Sequence, residues 1–345
     1  MLPSRLPEPH LYLPGTGEPS LRWGIVGPGW IAGEFAKAVR NHTAQQIVAV
    51  ASRSLDRASA FAATHGIGVA LGSTEQLVTH PDVDVVYVAT PQSEHLAVGL
   101  AAIAAGKHVL IEKPFTVSAA EAKTLADAAR AAGVLVMEAM WSRYLPQTSV
   151  IRQLLADGAL GEIRTVFADH GQAITADPEH RLYRPELGGG ALLDLGIYPV
   201  QFASMVLGAP TRVTAVGGMT KTGVDAHSTL VLTHERDAQS TLHTSILART
   251  PMTAVIAGSE ATLSIDGIFY APTSFTLSPA GDPFGQELTW SDPTGLKLFD
   301  GLSWEATALA RFVGEGRTES PVHTLDETIS ILATIDEARA QIAAS

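Results

Sequence analysis

A doubly wound parallel α/β sheet followed by an α+β domain with a large, mostly antiparallel, open-faced sheet is the fold this sequence predicts. Three observations predict it. Residues 21–140 alternate short apolar runs with amphipathic stretches, the first apolar run ends in a glycine-rich loop, and beyond residue 160 the runs turn short and alternating. The 345 residues suffice for two domains of ordinary size, and 46% hydrophobic against 17% charged residues suffices to fill both cores.

The elements follow in order. Leu21–Gly27 reads as a buried parallel strand, and Ile31, Phe35 and Val39 mark a helix over 30–40. A strand over 45–52 precedes a helix over 55–65 that Gly66 stops. A short strand near 67–70, a helical turn near 74–79 and a strand over 83–90 come next. Ser93 is placed to cap a helix over 94–105, which Gly106 ends. Residues 108–114 form a strand broken by Pro114. Ser118 and Glu121 make a capping box for a helix over 119–132, Gly133 stops it, and 134–140 is a last strand. Right-handed crossovers join such units into a single sheet.

The second half reads differently. Residues 147–157 are helical up to Gly158. Between 162 and about 290 the runs IRTVFADHG, RVTAVGGMT, STLVLTHE, STLHTSIL, TAVIAG and ATLSID have the alternation of antiparallel strands. Helices near 303–314 and 325–342 close the chain. The second is opened by Thr324 and Glu327 and carries a stripe of Leu325, Ile329, Leu332 and Ile335. The expected division is an extended arm over 1–20, rich in proline and lying on a neighbouring surface, a nucleotide-binding domain over 21–140, and a substrate-binding and oligomerisation domain over 141–345.

Composition narrows the function. Lys plus Arg number 23 against 35 Asp plus Glu, a formal charge of -12, so a polyphosphate backbone is repelled and nucleic acid is not an expected partner. With no cysteine, thiolate catalysis, disulfides and Cys-ligated metal are excluded, and a cytoplasmic location is the expectation. No apolar run approaches the ~20 residues that span a bilayer, so no membrane partner is expected. His227, His234 and His243 are scattered over strand-like segments without an H-E-x-x-H motif, so no metal site is expected. There is neither a G-x-S-x-G elbow nor a Walker loop.

Gly27-Pro28-Gly29-Trp30-Ile31-Ala32 matches G-x-G-x-x-A at the turn from first strand to first helix, the placement a Rossmann dinucleotide site requires. Gly27 permits the tight turn, Gly29 lets the backbone approach a pyrophosphate, Ala32 keeps helix and sheet close, and Trp30 and Ile31 open the helix whose N–H groups face the phosphates. An NAD site usually ends its second strand with an acid that holds the ribose hydroxyls. Here Ser52-Arg53-Ser54 stands there, with no acid before Asp56. A carboxylate repels a 2′-phosphate, whereas a hydroxyl and a guanidinium bind one, so the expected cofactor is NADP(H) over NAD(H). Arg53 also suits stacking on the adenine of either cofactor.

Two later segments carry a family resemblance. One is Glu112-Lys113-Pro114 at the end of the fifth strand. The other is the run Gly188-Gly189-Gly190-Ala191-Leu192-Leu193-Asp194-Leu195-Gly196-Ile197-Tyr198-Pro199. With the glycine loop they make residues 21–345 resemble the Gfo/Idh/MocA oxidoreductases. Tyr198 where many members have His, together with Met137–Tyr144, is similar to the branch of glucose–fructose oxidoreductase and dimeric dihydrodiol or D-xylose dehydrogenase.

The resemblance implies Lys113 beside the nicotinamide, Tyr198 as acid/base and Asp194 on the substrate. It also places Glu112, Trp141 and Arg143 near the cofactor, and Thr90, Pro91 and Gln92 on its nicotinamide side, although Asn is common where Gln92 stands. A homo-oligomer, a dimer or dimer of dimers, is the family's habit. The residue chemistry agrees. Oxidising an alcohol removes a hydride from carbon and a proton from oxygen, and a free tyrosine, with a pKa near ~10, needs help as a base. A nearby ammonium or an oxidised nicotinamide favours its phenolate. Asp194 lies four residues before Tyr198, which a helix would place on one face.

His95 is a further candidate contact to substrate or cofactor and equally fits an ordinary helix-start histidine. Arg181, Tyr183 and Arg184 suit the wall of a substrate pocket or simply a polar loop. Singly, Lys113 fits a surface lysine, Tyr198 a core tyrosine and Asp194 a turn cap.

The leading expectation is thus an NADP(H)-dependent dehydrogenase or reductase for a small polyhydroxylated substrate: a sugar, cyclitol or vicinal diol. A glycosidase that oxidises its sugar transiently through a retained nicotinamide is the second reading. A non-catalytic NADP-sensing regulator is the third, and such a sensor has no need of Lys113, Asp194 and Tyr198 together.

Overall fold

The computed structural model of the chain describes residues 2–282 and 284–344. It comprises two compact units, each assembled from separated stretches of sequence. One contains Leu11–Tyr144 and Lys297–Ile329, the other Met1–His10, Leu145–Leu296 and Ser330–Ser345.

The first unit is built on six parallel strands in the order β3-β2-β1-β4-β5-β6. They are β1 (Arg22–Val26), β2 (Gln46–Ala51), β3 (Val69–Leu71), β4 (Val85–Val88), β5 (His108–Glu112) and β6 (Val136–Ala139). All four side chains of β4 are buried, as a strand covered on both faces requires. The crossovers are α1 (Trp30–His42), α2 (Leu55–His65), α3 (Thr74–Val78), α4 (His95–Ala104) and α5 (Ala119–Ala132). Helix starts follow the capping logic at three places: Ser54, Ser73 and Ser118 accept from the backbone N–H of Arg57, Gln76 and Glu121. Ser93 does not cap α4. A 3₁₀ turn, Gln92–Glu94, runs straight into the helix, and its N-cap residue Glu94 makes no side-chain cap.

The division of the chain is not linear at residue 140. Helix α8 (Leu302–Gly314) counts with the first unit and packs on α1. The apolar face of α1, with Ala32, Phe35, Ala36 and Val39, needs more cover than its own crossover supplies.

The second unit carries an eight-stranded sheet in the order β14-β13-β12-β11-β7-β10-β9-β8. Its strands are β7 (Ile163–Gly171), β8 (Arg212–Met219), β9 (Asp225–Thr233), β10 (Gln239–Ser245), β11 (Ala254–Gly258), β12 (Ala261–Ile265), β13 (Ser274–Pro279) and β14 (Leu288–Ser291). All neighbours are antiparallel except β7 and β10. Helix α6 (Pro146–Ala156) precedes the sheet, and α7 (Ile197–Leu207) packs on β7 and β10. Near the end of α9 (Leu325–Ala343), Gln341 bonds the backbone of Val213 and Ala215 in β8.

Register divides the sheet cleanly. Thr214, Val231, Thr241, Phe167, Val255, Ser264, Thr276 and Thr289 lie opposite one another across it, and none of them is buried. The other face buries Val166, Ala168, Leu230, Leu242, Ile256, Leu263 and Phe275. Pro185–Leu207 is long and apolar enough to cross a bilayer, which was not expected from the sequence, but 78% of its apolar 18-residue window is buried within the protein.

The amino-terminal arm lies on its own chain. His10 N–H donates to Ser149 Oγ of α6 at 2.9 Å, and the Glu8 carbonyl accepts from Gln153 at 2.9 Å. Tyr12 packs edge-on against Tyr144 and Phe312 in the first unit.

Candidate active site

In the first unit, parallel strands put Gly27, Ser52, Thr90 and Lys113 at one edge of the sheet, just beyond the ends of β1, β2, β4 and β5. Strand order reverses between β1 and β4, where open α/β sheets bind their ligands. Gly27 has φ 95°, and a Cβ there would stand 2.7 Å from the carbonyl oxygen of Ala89, so only glycine fits. Its N–H donates to the Ala51 carbonyl at 3.1 Å, tying the loop to β2.

Gly29 opens α1 with no side-chain cap, no acid stands in the first turn, and a Cβ on Gly29 would meet nothing within 4 Å. Ala32 is fully buried, Ile31 half-buried, and Trp30 stands 65% exposed with its ring edge-on to Phe299 at 4.9 Å. The Thr90 hydroxyl is buried without a hydrogen-bond partner among the described residues. An uncapped, unobstructed helix start beside an unused hydroxyl suits a dinucleotide, with the α1 amides holding its pyrophosphate.

Arg53 is exposed, and its guanidinium lies 3.0 Å from the Glu94 carboxylate. The Ser52 hydroxyl accepts from Ser54 N–H at 3.3 Å. Lys113 is half-buried and precedes Pro114 in a cis peptide bond. Glu112 is buried and accepts from the Tyr87 hydroxyl and from Lys113 N–H, so its carboxylate shapes the loop from within the protein.

Other named residues hold this edge together. His95 is buried, with Nδ1 3.0 Å from the Pro114 carbonyl and Nε2 3.0 Å from that of Thr90. It bridges the loops after β4 and β5 from a position shielded from solvent. Burial holds its imidazole below the usual histidine range. Arg143 is buried as well: its side chain is 2% exposed and grips Glu327 through both terminal nitrogens, at 3.2 and 2.6 Å. Glu327 is itself partly desolvated, but His323 and Arg143 outweigh burial and pull its carboxyl well below the glutamate range. Trp141 is buried, stacked over Phe299 at 6.0 Å, while Pro91 and Gln92 form the 3₁₀ entry to α4.

Sequence reasoning missed Glu138, which accepts from Phe115 N–H, His323 and Thr328 and so supports the loop after Lys113. It also missed Glu305, whose carboxyl is fully buried without a partner among the described residues. Burial, then Glu112 and Glu138, pushes that carboxyl far up.

The second unit assembles a different cluster. Gly190 has φ 121°, and a Cβ there would stand 2.3 Å from Oδ1 of Asp225. The other oxygen of this buried carboxylate accepts from Leu192 N–H at 2.6 Å. Burial raises the Asp225 carboxyl, and this backbone bond opposes the rise. From Leu192 to Gly196 the chain winds as a π-helical turn before α7 begins at Ile197. Asp194 lies in that turn and Tyr198 in the first turn of α7, so one continuous α-helical face does not carry both. The extra residue in the turn re-aims the side chains, as such bulges do at functional sites.

Asp194 is nearly buried and receives a two-pronged contact from Arg181, at 3.1 and 3.0 Å. The Tyr198 ring stacks on Tyr270 at 4.1 Å and 21°. His170 sits beneath. Its Nδ1–H donates to the Leu195 carbonyl at 3.1 Å, which leaves Nε2 to accept from the Tyr270 hydroxyl at 2.8 Å and from Gln172 at 3.0 Å. Burial pushes the Tyr270 hydroxyl up, Gln172 opposes this and the Asp194 charge adds to it. His170 and Tyr270 stand 100 residues apart, and no local spacing announces their pairing.

Tyr183 does not line this cluster. It packs with Leu182, Ala191, Leu195 and Ile246 and donates to the Ile174 carbonyl. Arg184 is partly exposed and pairs with Glu186. His234 bonds the Gly208 carbonyl and the Ser240 hydroxyl, and His243 bonds Thr229. Among the described residues no group of three His, Cys, Asp or Glu could hold a metal.

Comparison with known proteins fits this arrangement. The family profile described as an oxidoreductase family with NAD-binding Rossmann fold matches residues 21–140, and that of the GFO/IDH/MocA C-terminal domain matches 148–264. Trans-1,2-dihydrobenzene-1,2-diol dehydrogenase of Xenopus laevis is 37% identical over 325 residues, covering 93% of this chain and 98% of that one. The Bos taurus enzyme of that name is 37% identical over 336 residues, covering 94% and 97%. Among solved structures, a 3-ketoreductase from Actinomadura kijaniata in complex with NADP and TDP-benzene superposes with a TM-score of 0.82. It is 27% identical, covering 94% of this chain and 98% of that one. An aldose-aldose oxidoreductase from Caulobacter crescentus complexed with glycerol gives 0.80 at 26% identity, covering 94% and 97%. With both halves of the chain matched and full-length relatives above one third identity, the protein belongs to the Gfo/Idh/MocA family of oxidoreductases.

Proposed function

We propose that the protein transfers hydride between NADP(H) and a CH–OH or carbonyl carbon of a sugar, cyclitol or vicinal diol, with Lys113 and Tyr198 as the acid/base pair. The observation that carries this is the Asp194–Tyr198 cluster. Its buried carboxylate, phenol and imidazole, with the exposed guanidinium of Arg181, suit a substrate with several hydroxyls. The relatives' names point the same way: diol dehydrogenases in sequence, and a 3-ketoreductase and an aldose-aldose oxidoreductase in structure.

When bound, the nicotinamide supplies the hydride acceptor or donor. The chain's own groups do the rest. Tyr198 takes the hydroxyl proton in the oxidative direction and returns it in reduction, and the Lys113 ammonium stabilises its phenolate. Asp194, steadied by Arg181, accepts hydrogen bonds from substrate hydroxyls. Arg53, with Ser52, binds the 2′-phosphate that separates NADP from NAD. A homodimer through the open face of the eight-stranded sheet completes the proposal: Phe167, Val216 and Val231 leave large apolar side chains exposed there.

The test is a panel of sugars, cyclitols and vicinal diols, followed at the absorbance of reduced nicotinamide with NADP and NAD in parallel. Turnover of cofactor with at least one polyol, faster with NADP, is expected. Release of free sugar from glycosides without net cofactor turnover would overturn it in favour of transient oxidation.

A further inference from the structure

We propose that Glu94 is a cofactor-selectivity residue: it clasps Arg53 across the mouth of the nucleotide cradle, and a 2′-phosphate binds by taking Arg53 from it. The inference rests on Arg53 as the phosphate ligand. Arg53 stands two residues beyond β2 and Glu94 six beyond β4. These strands flank β1 on opposite sides, two strand spacings or about 10 Å apart. The ion pair at 3.0 Å therefore bridges over the end of β1, the strand that delivers Gly27 and Gly29.

The two partners are held unequally. Glu94 is fixed in the 3₁₀ turn by its N–H bond to the Pro91 carbonyl, and its side chain is 31% exposed. The Arg53 side chain is 85% exposed and makes no other ion pair among the described residues. Arg53 is thus the mobile half. An ion pair so open to water is weak, and a carboxylate offers a guanidinium less charge than a phosphate does, so the phosphate wins the exchange.

The exchange has a cost that NAD does not meet. Once Arg53 turns to the phosphate, Glu94 is left unpaired near a dianion. A cofactor with plain ribose hydroxyls leaves the clasp intact. Glu94 therefore holds NADP affinity below what Arg53 alone would give, and keeps the cradle's charge neutral when no phosphate is present.

The test measures dissociation constants of NADP+ and NAD+ for the whole protein as wild type, Glu94→Gln, Arg53→Ala and the double variant, at low and high salt. Glu94→Gln is expected to tighten NADP+ about threefold to tenfold at low ionic strength and to leave NAD+ within about twofold, with the gain shrinking in salt. In the Arg53→Ala background most of that gain disappears. Unchanged or weaker NADP+ binding in Glu94→Gln, or equal tightening of both cofactors, overturns the clasp while leaving Arg53 as phosphate ligand. Equal losses of NADP+ and NAD+ in Arg53→Ala would instead remove the phosphate assignment on which the clasp rests.

Discussion

Replacing Gly190 by alanine tests whether one backbone position holds the Asp194–Tyr198 cluster in place. Two costs follow from its geometry. The first is conformational: φ 121° lies where side chains are rarely tolerated, at about 1–3 kcal/mol. The second is steric: a Cβ 2.3 Å from Oδ1 of Asp225 forces that carboxylate to turn, and its bond to Leu192 N–H is lost, at about 1.5–3 kcal/mol. Together these predict a loss of about 2.5–6 kcal/mol, read as a shift in the urea midpoint of unfolding. Gly158→Ala is the control: its φ of 68° carries backbone strain, but a Cβ there meets nothing within 4 Å, so about 1–2 kcal/mol is expected. Turnover responds as well. Asp194 and Tyr198 follow directly along the same turn and helix, and a displacement of about 1 Å at reacting groups costs about 100-fold. A Gly190→Ala protein as stable as the control, with wild-type turnover, would refute the claim that Gly190 and Asp225 set this turn.

Tyr198→Phe is expected to lower kcat by about two to four orders of magnitude while the cofactor dissociation constant stays within about twofold; near-wild-type turnover would remove Tyr198 from the mechanism. Arg143→Met leaves Glu327 without its buried cation and should cost about 3 kcal/mol at pH 7. The folded Glu327 carboxyl lies below its unfolded value near ~4.3, so its contribution is present above that value and lost as pH falls through the folded one. The stability gap between variant and wild type should therefore shrink on acidification below about pH 4, and a gap that widens contradicts the assignment. Phe167→Asp should convert a dimer to monomer at micromolar concentration by light scattering; a wild-type protein of monomeric mass at that concentration contradicts the dimer itself.

What could be read from the sequence was local. The β–α alternation, the αL glycines Gly66 and Gly133, and the serine caps at Ser54 and Ser118 each depend on residues within a few positions of one another. The glycine loop was legible for the same reason. Strands β13 and β14 were not singled out: Phe275 and Leu277, and Leu288 and Trp290, do alternate with polar residues, but each run is very short and a proline- and glycine-rich stretch separates them. The π-helical turn at Leu192–Gly196 hid behind a four-residue spacing that equally suits an α-helix. Its first residue, Leu192, bonds through its N–H to Asp225, 33 residues away. His95 and Arg143 looked like ligand contacts from their place beside motifs. Packing adds what the sequence does not show, that the first spans two carbonyls and the second pairs with the half-buried Glu327. His170 and Tyr270 carried no local signal at all.

The packing of α8 on α1 bears on how the protein is made. Helix α1 ends at His42 and its cover begins at Leu302, about 260 residues later. At synthesis rates of about 5–20 residues per second, the nascent first unit keeps the apolar flank of α1 uncovered for roughly 13–50 s after that helix emerges. Once Ala139 has emerged, well before Leu302, all six strands of its sheet are available, so the sheet can assemble before its last helix exists. The nascent chain is therefore most open to chaperone capture, or to association with its own kind, while the ribosome is translating the other unit.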